Sequence, residues 1–204
     1  MVTQKKVTQI LTKWGLEAET ISNIYSQLSG DKQGHVFYIG NDFVLKITPH
    51  LEAIQNHITL SHILEKAGLT IAIPVETKDN KKYVIDNELY CLLTRRVKGE
   101  QIKTEDLYQD DYASKARYIG EIIGQLHQVL ANYDEISCND ANLFETVTKS
   151  AIPKCTSTMG LTQIFYDDYL NTFGTLYPRL PKQVIHRDLN PSNILIWNTL
   201  LLIK

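Results

Sequence analysis

The sequence predicts an α+β fold in two parts: an antiparallel β-sheet with one inserted helix, then a mainly helical part, with the change near residues 98–104. Three observations predict it. Short β-rich runs separated by Gly, Asn and Asp turns fill the first part, interrupted by one helical run. After Gly99 the apolar residues recur at helical spacing instead. Near the end, the polar stretch His186-Arg187-Asp188-Leu189-Asn190-Pro191-Ser192-Asn193 sits between the apolar runs Val184-Ile185 and Ile194–Trp197, which reads as strand, tight loop, strand.

Taken in order, Thr3–Trp14 places Val7, Ile10, Leu11 and Trp14 at helical spacing and stops at Gly15, a helical lead-in within residues 1–20. Ile21–Leu28 reads as a first strand or a helix continuation, and Ser29–Gly34 as a polar turn. His35–Ile39 and Phe43–Thr48 form a hairpin about Gly40-Asn41-Asp42. Leu51–Lys66 is a helix with Ile54, Ile58, Ile63 and Leu64 inward and Gly68 past its end. Ile71–Val75, Tyr83–Ile85 and Leu89–Val97 are strands, the last two joined at Asp86-Asn87-Glu88. Asp106–Ala131 is a long helix, Asn142–Ser150 a weak one and Leu161–Tyr177 a stronger one, closed by Pro178 and Pro181. The expected division is a β-rich lobe over 1–98 and an α-rich lobe over 99–204.

Composition narrows the class. At 43% hydrophobic and 22% charged residues, the 204-residue chain has the make-up of a globular protein with a real core. A net charge of −2 gives no basic surface for nucleic acid or an anionic membrane. No apolar run is long enough to span a bilayer and no signal-peptide pattern opens the chain, so a cytoplasmic location is expected. Cys91, Cys138 and Cys155 have neither metal spacing nor an even count, and no role is assigned to them.

The chemistry is carried by the loop. Asp188 followed five residues later by Asn193 is the spacing phosphoryl transfer uses, an Asp to accept the acceptor hydroxyl's proton and an Asn to hold magnesium beside it. A polar β-turn punctuated by Pro191 and Asn190 is the alternative reading. Phosphoryl transfer further needs a cradle for the triphosphate and a cation on its oxygens. Ser29, Gly30 and Gly34 offer a cradle whose glycines let backbone N–H groups approach phosphate, though a plain hairpin turn explains them as well. Lys46 offers the cation: a lone Lys among Phe43, Val44, Leu45 and Ile47 either meets a partner or points to solvent from an edge. The following helix offers Glu52 in its first turn and Glu65 near its end as a partner for Lys46, with Glu52 preferred; a favourable helix-dipole position accounts for Glu52 equally.

The Asp188/Asn193 spacing, the strand Lys46 and Gly120-x-x-x-Gly124-x-Leu126-His127 together resemble the aminoglycoside phosphotransferase/choline kinase family, of protein-kinase-like bilobal fold. The long helical segment 128–184 between Lys46 and Asp188, and Pro191 in the loop, resemble the same family. Arg187, where Gly is frequent in that family, resembles protein kinases instead. The resemblance implies ATP or GTP and Mg2+ as cofactors, and transfer of the γ-phosphoryl group to a small hydroxyl-bearing acceptor such as an aminoglycoside, choline or homoserine. It implies Asp188 as catalytic base, Asn193 as metal ligand, His186 as a structural brace and Lys46 on the α/β-phosphates. It also implies a hinge over Thr94 to Val97, including Arg96, whose backbone reads the adenine edge. The counterpart of His127 packs structurally.

The family's second metal ligand, an Asp on the strand after the catalytic loop, is not reached before Lys204. The run Leu200–Ile203 looks like the hairpin that would deliver it. The α-lobe is therefore expected to be C-terminally truncated, with magnesium held poorly, activity impaired and self-association through exposed apolar surface. A non-catalytic, kinase-like nucleotide-binding remnant is the competing expectation.

Overall fold

The computed structural model describes residues 2–24, 36–101, 105, 112–133, 142–160, 162–180, 184, 194–197 and 200–203. The chain forms two compact units, residues 1–136 with 185–204, and residues 137–184.

The first unit opens with α1 (Gln4–Leu11), begun by Thr3, whose side-chain oxygen accepts the Lys6 N–H at 3.3 Å. Strands β1 (Ile21–Asn23), β2 (Val36–Ile39) and β3 (Phe43–Thr48) follow, then α2 (Leu51–Lys66), β4 (Val84–Asp86) and β5 (Leu89–Arg95). The sheet order is β1-β2-β3-β5-β4 with every neighbour antiparallel. Both expected hairpin turns form. Gly40 at φ 54° and Asn87 at φ 55° take the left-handed conformation those turns need. The α2 boundaries match the expected ones, and Gly68 at φ 80° stops the helix, with the Leu69 N–H returning to Leu64 O at 3.0 Å.

Ile71–Val75 departs from expectation. It makes one bridge, Pro74 to Thr94, flanked by Val75 N–H to Leu93 O and Arg95 N–H to Ile73 O, each 2.8 Å. Pro74 has no N–H to extend the ladder, so the run stays a bridge. β5 also ends at Arg95 rather than Val97, and the described part of the long helix is α3 (Tyr112–Leu130).

The strand period of two divides the sheet cleanly. Phe37, Ile39, Leu45, Ile47, Cys91 and Leu93 lie on one face and pack with Val7, Ile10 and Leu11 of α1 in one buried cluster. Trp14 closes its rim, donating Nε1–H to Val75 O at 2.8 Å. Burial, reinforced by the Asp86 carboxylate and opposed by Lys6, pushes the Cys91 thiol up to about 12, so it acts as a core hydrophobe. Leu11 is 0% exposed at the centre of this cluster. Leu11→Ala is expected to cost about 2–5 kcal/mol of stability, read by denaturant unfolding, because the sheet cannot collapse into the space left.

The opposite face carries Val36, Tyr38, Val44, Lys46, Leu92 and Thr94. It meets α2, where Leu92 and Ile54 are fully buried outside the α1 cluster. After β5 the chain forms β6 (Glu100–Gln101), which joins β7 (Ile194–Trp197) and β8 (Leu200–Ile203) in an antiparallel sheet ordered β6-β7-β8. The β7–β8 hairpin is the one the sequence suggests. β6 is not foreseen: its two exposed polar residues have no apolar alternation to announce them.

The second unit holds α4 (Leu143–Thr146), a π-turn over Val147–Ala151, α5 (Ile152–Met159), α6 (Gln163–Leu176) and a 3-10 turn at Tyr177–Arg179. The weak helix expected over Asn142–Ser150 thus continues through the π-turn into α5, until Gly160 at φ 64° ends it. Phe144, Tyr169, Phe173 and Tyr177 stack as its half-buried centre, with Tyr169–Phe173 centroids 5.2 Å apart. The Tyr177 hydroxyl accepts the Leu143 N–H at 2.9 Å. Glu145 pairs with Lys149 at 3.1 Å and Asp167 accepts from Gln163 at 2.9 Å, both on exposed helix faces.

Candidate active site

Lys46 lies half-buried on β3, on the face turned away from α1. Its cross-strand neighbours are Val36 on β2 and Leu92 on β5, so an ammonium sits in an apolar frame. No described ion pair involves Lys46. A cation framed this way is only partly hydrated and is suited to an anion brought to it.

Two strands' ends bring further residues to the same region. Asn23 pairs with Phe37, and Ile24 donates its N–H to Val36 O at 3.1 Å. The strands flanking residues 25–35 therefore lie side by side, and Val36, the first residue after that segment, is the direct neighbour of Lys46. Ser29, Gly30 and Gly34 themselves fall outside the described residues, as do His186, Asp188 and Asn193. Ile194, immediately after Asn193, is buried, and the next residue, Leu195, pairs with Gln101, a few residues past the end of β5.

At the expected hinge, Thr94 is buried and donates Oγ1–H to Val44 O at 3.4 Å. Arg95 and Arg96 commit their backbone N–H groups inside the fold, to Ile73 O at 2.8 Å and Asp42 O at 2.7 Å. The Arg96 guanidinium lies 4.2 Å from the Tyr38 ring centroid, a cation on an aromatic face. Tyr38 shares its sheet face with Lys46 and is opposite Val44 and, beyond it, Thr94. Val97 is half-buried just beyond the strand.

Glu52 occupies the first turn of α2 and is exposed, and no described ion pair joins it to Lys46. Also on α2, His57 has its pKa lowered, chiefly by burial and to a smaller extent by Lys46, against the raising effect of the Ala72 carbonyl. Sequence reading assigned nothing to His57 or Tyr38. The available signal was periodic: His57 and Ser61 recur with Ile54 and Leu64 on one side of α2, and Tyr38 alternates with Val36.

Together the sheet, α2 and the apolar-framed lysine define a kinase-like α+β fold. The sequence matches the model of the phosphotransferase enzyme family over residues 24–202, and the chain belongs to that family. The fold is shared with an amicoumacin kinase solved with AMP-PNP, Ca2+ and Ami, at 14% identity and TM-score 0.65, covering 98% of this chain and 63% of that one. A spectinomycin phosphotransferase solved with ADP and spectinomycin gives 13% identity and TM-score 0.60, covering 98% and 67%. A microcompartment-associated aminopropanol kinase gives 13% and 0.60, covering 95% and 65%. The chain thus spans about two thirds of the length of these neighbours. A search of curated proteins gives no match. Among the described residues no helix is long and apolar enough to cross a membrane.

Proposed function

We propose that this chain is a phosphotransferase that moves the γ-phosphoryl group of ATP or GTP to a hydroxyl of a small molecule. The observation that carries the proposal is Lys46, half-buried beside Val36 and Leu92 on the sheet face away from α1. A triphosphate suits this face chemically: an apolar frame for the base and a cation for the phosphate oxygens. In this reading residues 1–98 are the nucleotide-binding lobe and 99–204 carry the catalytic loop. Lys46 holds the α/β-phosphates, Ser29, Gly30 and Gly34 cradle them, and Glu52 supports the lysine side of α2. Thr94, Arg96 and Val97 border the base, with Val97 the first hinge residue whose N–H the sheet does not already use.

Asp188 takes the proton from the acceptor hydroxyl, an assignment supported by the family and by its spacing to Asn193. Asn193 would hold Mg2+, which when bound neutralises charge on the phosphates. The neighbours are named for amicoumacin, spectinomycin and aminopropanol, which supports a small-molecule acceptor, with aminoglycosides, choline and homoserine as the classes to try. Among the described residues β8 pairs with β7 alone, and its apolar sequence supports self-association of the chain.

Calorimetric titration with ATP, GTP and Mg2+, beside a nucleotide-diphosphate release assay over those acceptors, tests the reading. Saturable nucleotide binding with acceptor-dependent release is expected. Binding without release under every acceptor marks a nucleotide-binding remnant, and no binding at millimolar nucleotide overturns the reading altogether.

A further inference from the structure

The transfer proposed above makes no use of His57, yet α2 carries this imidazole to the Lys46 side of the sheet. The ring is half-buried and donates Nε2–H to Ala72 O at 3.4 Å, while the Ser61 hydroxyl donates to the same oxygen at 3.2 Å. That carbonyl belongs to the segment bonded to β5 through Arg95 N–H to Ile73 O and Val75 N–H to Leu93 O. His57 is therefore tied to the backbone that braces the hinge, on the helix that packs against the lysine strand. We propose that His57 is a proton-linked positioning residue behind Lys46, which takes up a proton when nucleotide phosphates occupy the lysine. The inference rests on the nucleotide reading of the same face.

The charges around the ring set the direction. In the free protein burial is the largest influence and favours the neutral imidazole, the Ala72 carbonyl comes next and favours the charged one, and the Lys46 cation adds a smaller push towards neutral. From β3 the facing charge is Lys46. The segment 71–75 has no ionisable side chain and offers the Ala72 oxygen, and β5 presents Tyr90, Leu92 and Thr94 on the Lys46 face. On α2 the positions beside His57 along the helix, Ala53, Ile54, Ile58, Leu60 and Ser61, are uncharged. α3, which also meets α2, carries Lys115, Arg117, Glu121 and His127, and none of these figures among the influences on the ring. A polyphosphate on Lys46 cancels the opposing cation and adds negative charge, so the proton affinity of His57 rises. By linkage, a group whose pKa is higher in the complex than in the free protein tightens binding as pH falls through that range. The sign is set: ADP affinity increases from pH 8 towards pH 6 by an increment that belongs to His57.

Calorimetry of Mg2+ and ADP binding to the 204-residue chain, at pH 6 in two buffers of different ionisation enthalpy, reads the proton directly. ADP titrates in the same range, so the readout is wild type minus His57→Gln, whose amide can still donate to Ala72 O. Wild type is expected to take up about 0.3–0.5 proton more than the variant, with adenosine showing no difference. A matching measurement needs no variant: the His57 imidazole resonance of the wild type should titrate about one pH unit or more higher with ADP than without. Equal proton uptake by both proteins, or an unmoved His57 titration, overturns the proposal and leaves the nucleotide reading standing. Failure of wild type to bind ADP overturns both.

Discussion

Asp188→Ala is expected to lower kcat by about 10²–10⁴-fold, the usual contribution of a positioned general base. The Kd for nucleotide is expected to stay within about twofold, because the base acts on the acceptor hydroxyl and not on the bound phosphates. That split separates a base from a residue that merely shapes the loop. Loss of packing in the loop would move both quantities together, because the neighbouring Asn193 is the residue assigned to the metal. Steady-state transfer assays beside calorimetric titration provide the two readouts. Asp188→Asn is the stricter form of the test: it preserves size and polarity and removes only proton acceptance. A variant that retains wild-type turnover would end the assignment.

Lys46→Ala is expected to weaken ADP binding by about 10–150-fold, corresponding to the 1.5–3 kcal/mol of a charge-assisted hydrogen bond. kcat is expected to fall by about 10²–10³-fold as well, because a fixed cation stabilises charge that develops during transfer. Adenosine affinity, which in the proposed reading rests on the apolar frame of Val36, Val44 and Leu92, should be nearly unchanged. The lysine is half-buried and in none of the described ion pairs, so the fold should persist, with a melting temperature close to wild type. Equal losses for ADP and adenosine would instead show that the residue supports the sheet. Lys46→Arg should recover part of the affinity only, since a planar guanidinium on a longer reach does not replace a point charge.

The sheet and α2 were legible because their signals are local. Phe43–Thr48 and Leu51–Lys66 have their observed boundaries, set by a period-two run with β-branched residues and by a helical run ended at Gly68. Where the signal depended on pairing, sequence reading fell short. Ile71–Val75 looks as apolar as a strand, but its ladder is limited by Pro74, and β6 exists only because Glu100 and Gln101 meet Ile196 and Leu195. The candidate site divides in the same way. Lys46 stood out as a lone cation among apolar residues, whereas His57 and Tyr38 did not.

By itself the sequence determined the residue chemistry: one strand lysine, an Asp and an Asn at phosphoryl-transfer spacing, and glycine turns between short strands. These follow from side-chain type and spacing along a chain of known period. Only the tertiary structure decided which face Lys46 takes, which strands lie beside it and which helix covers that face. Register sorts every strand residue to one face or the other, and burial sets the strength of each charge interaction; both depend on contacts between segments distant in the chain.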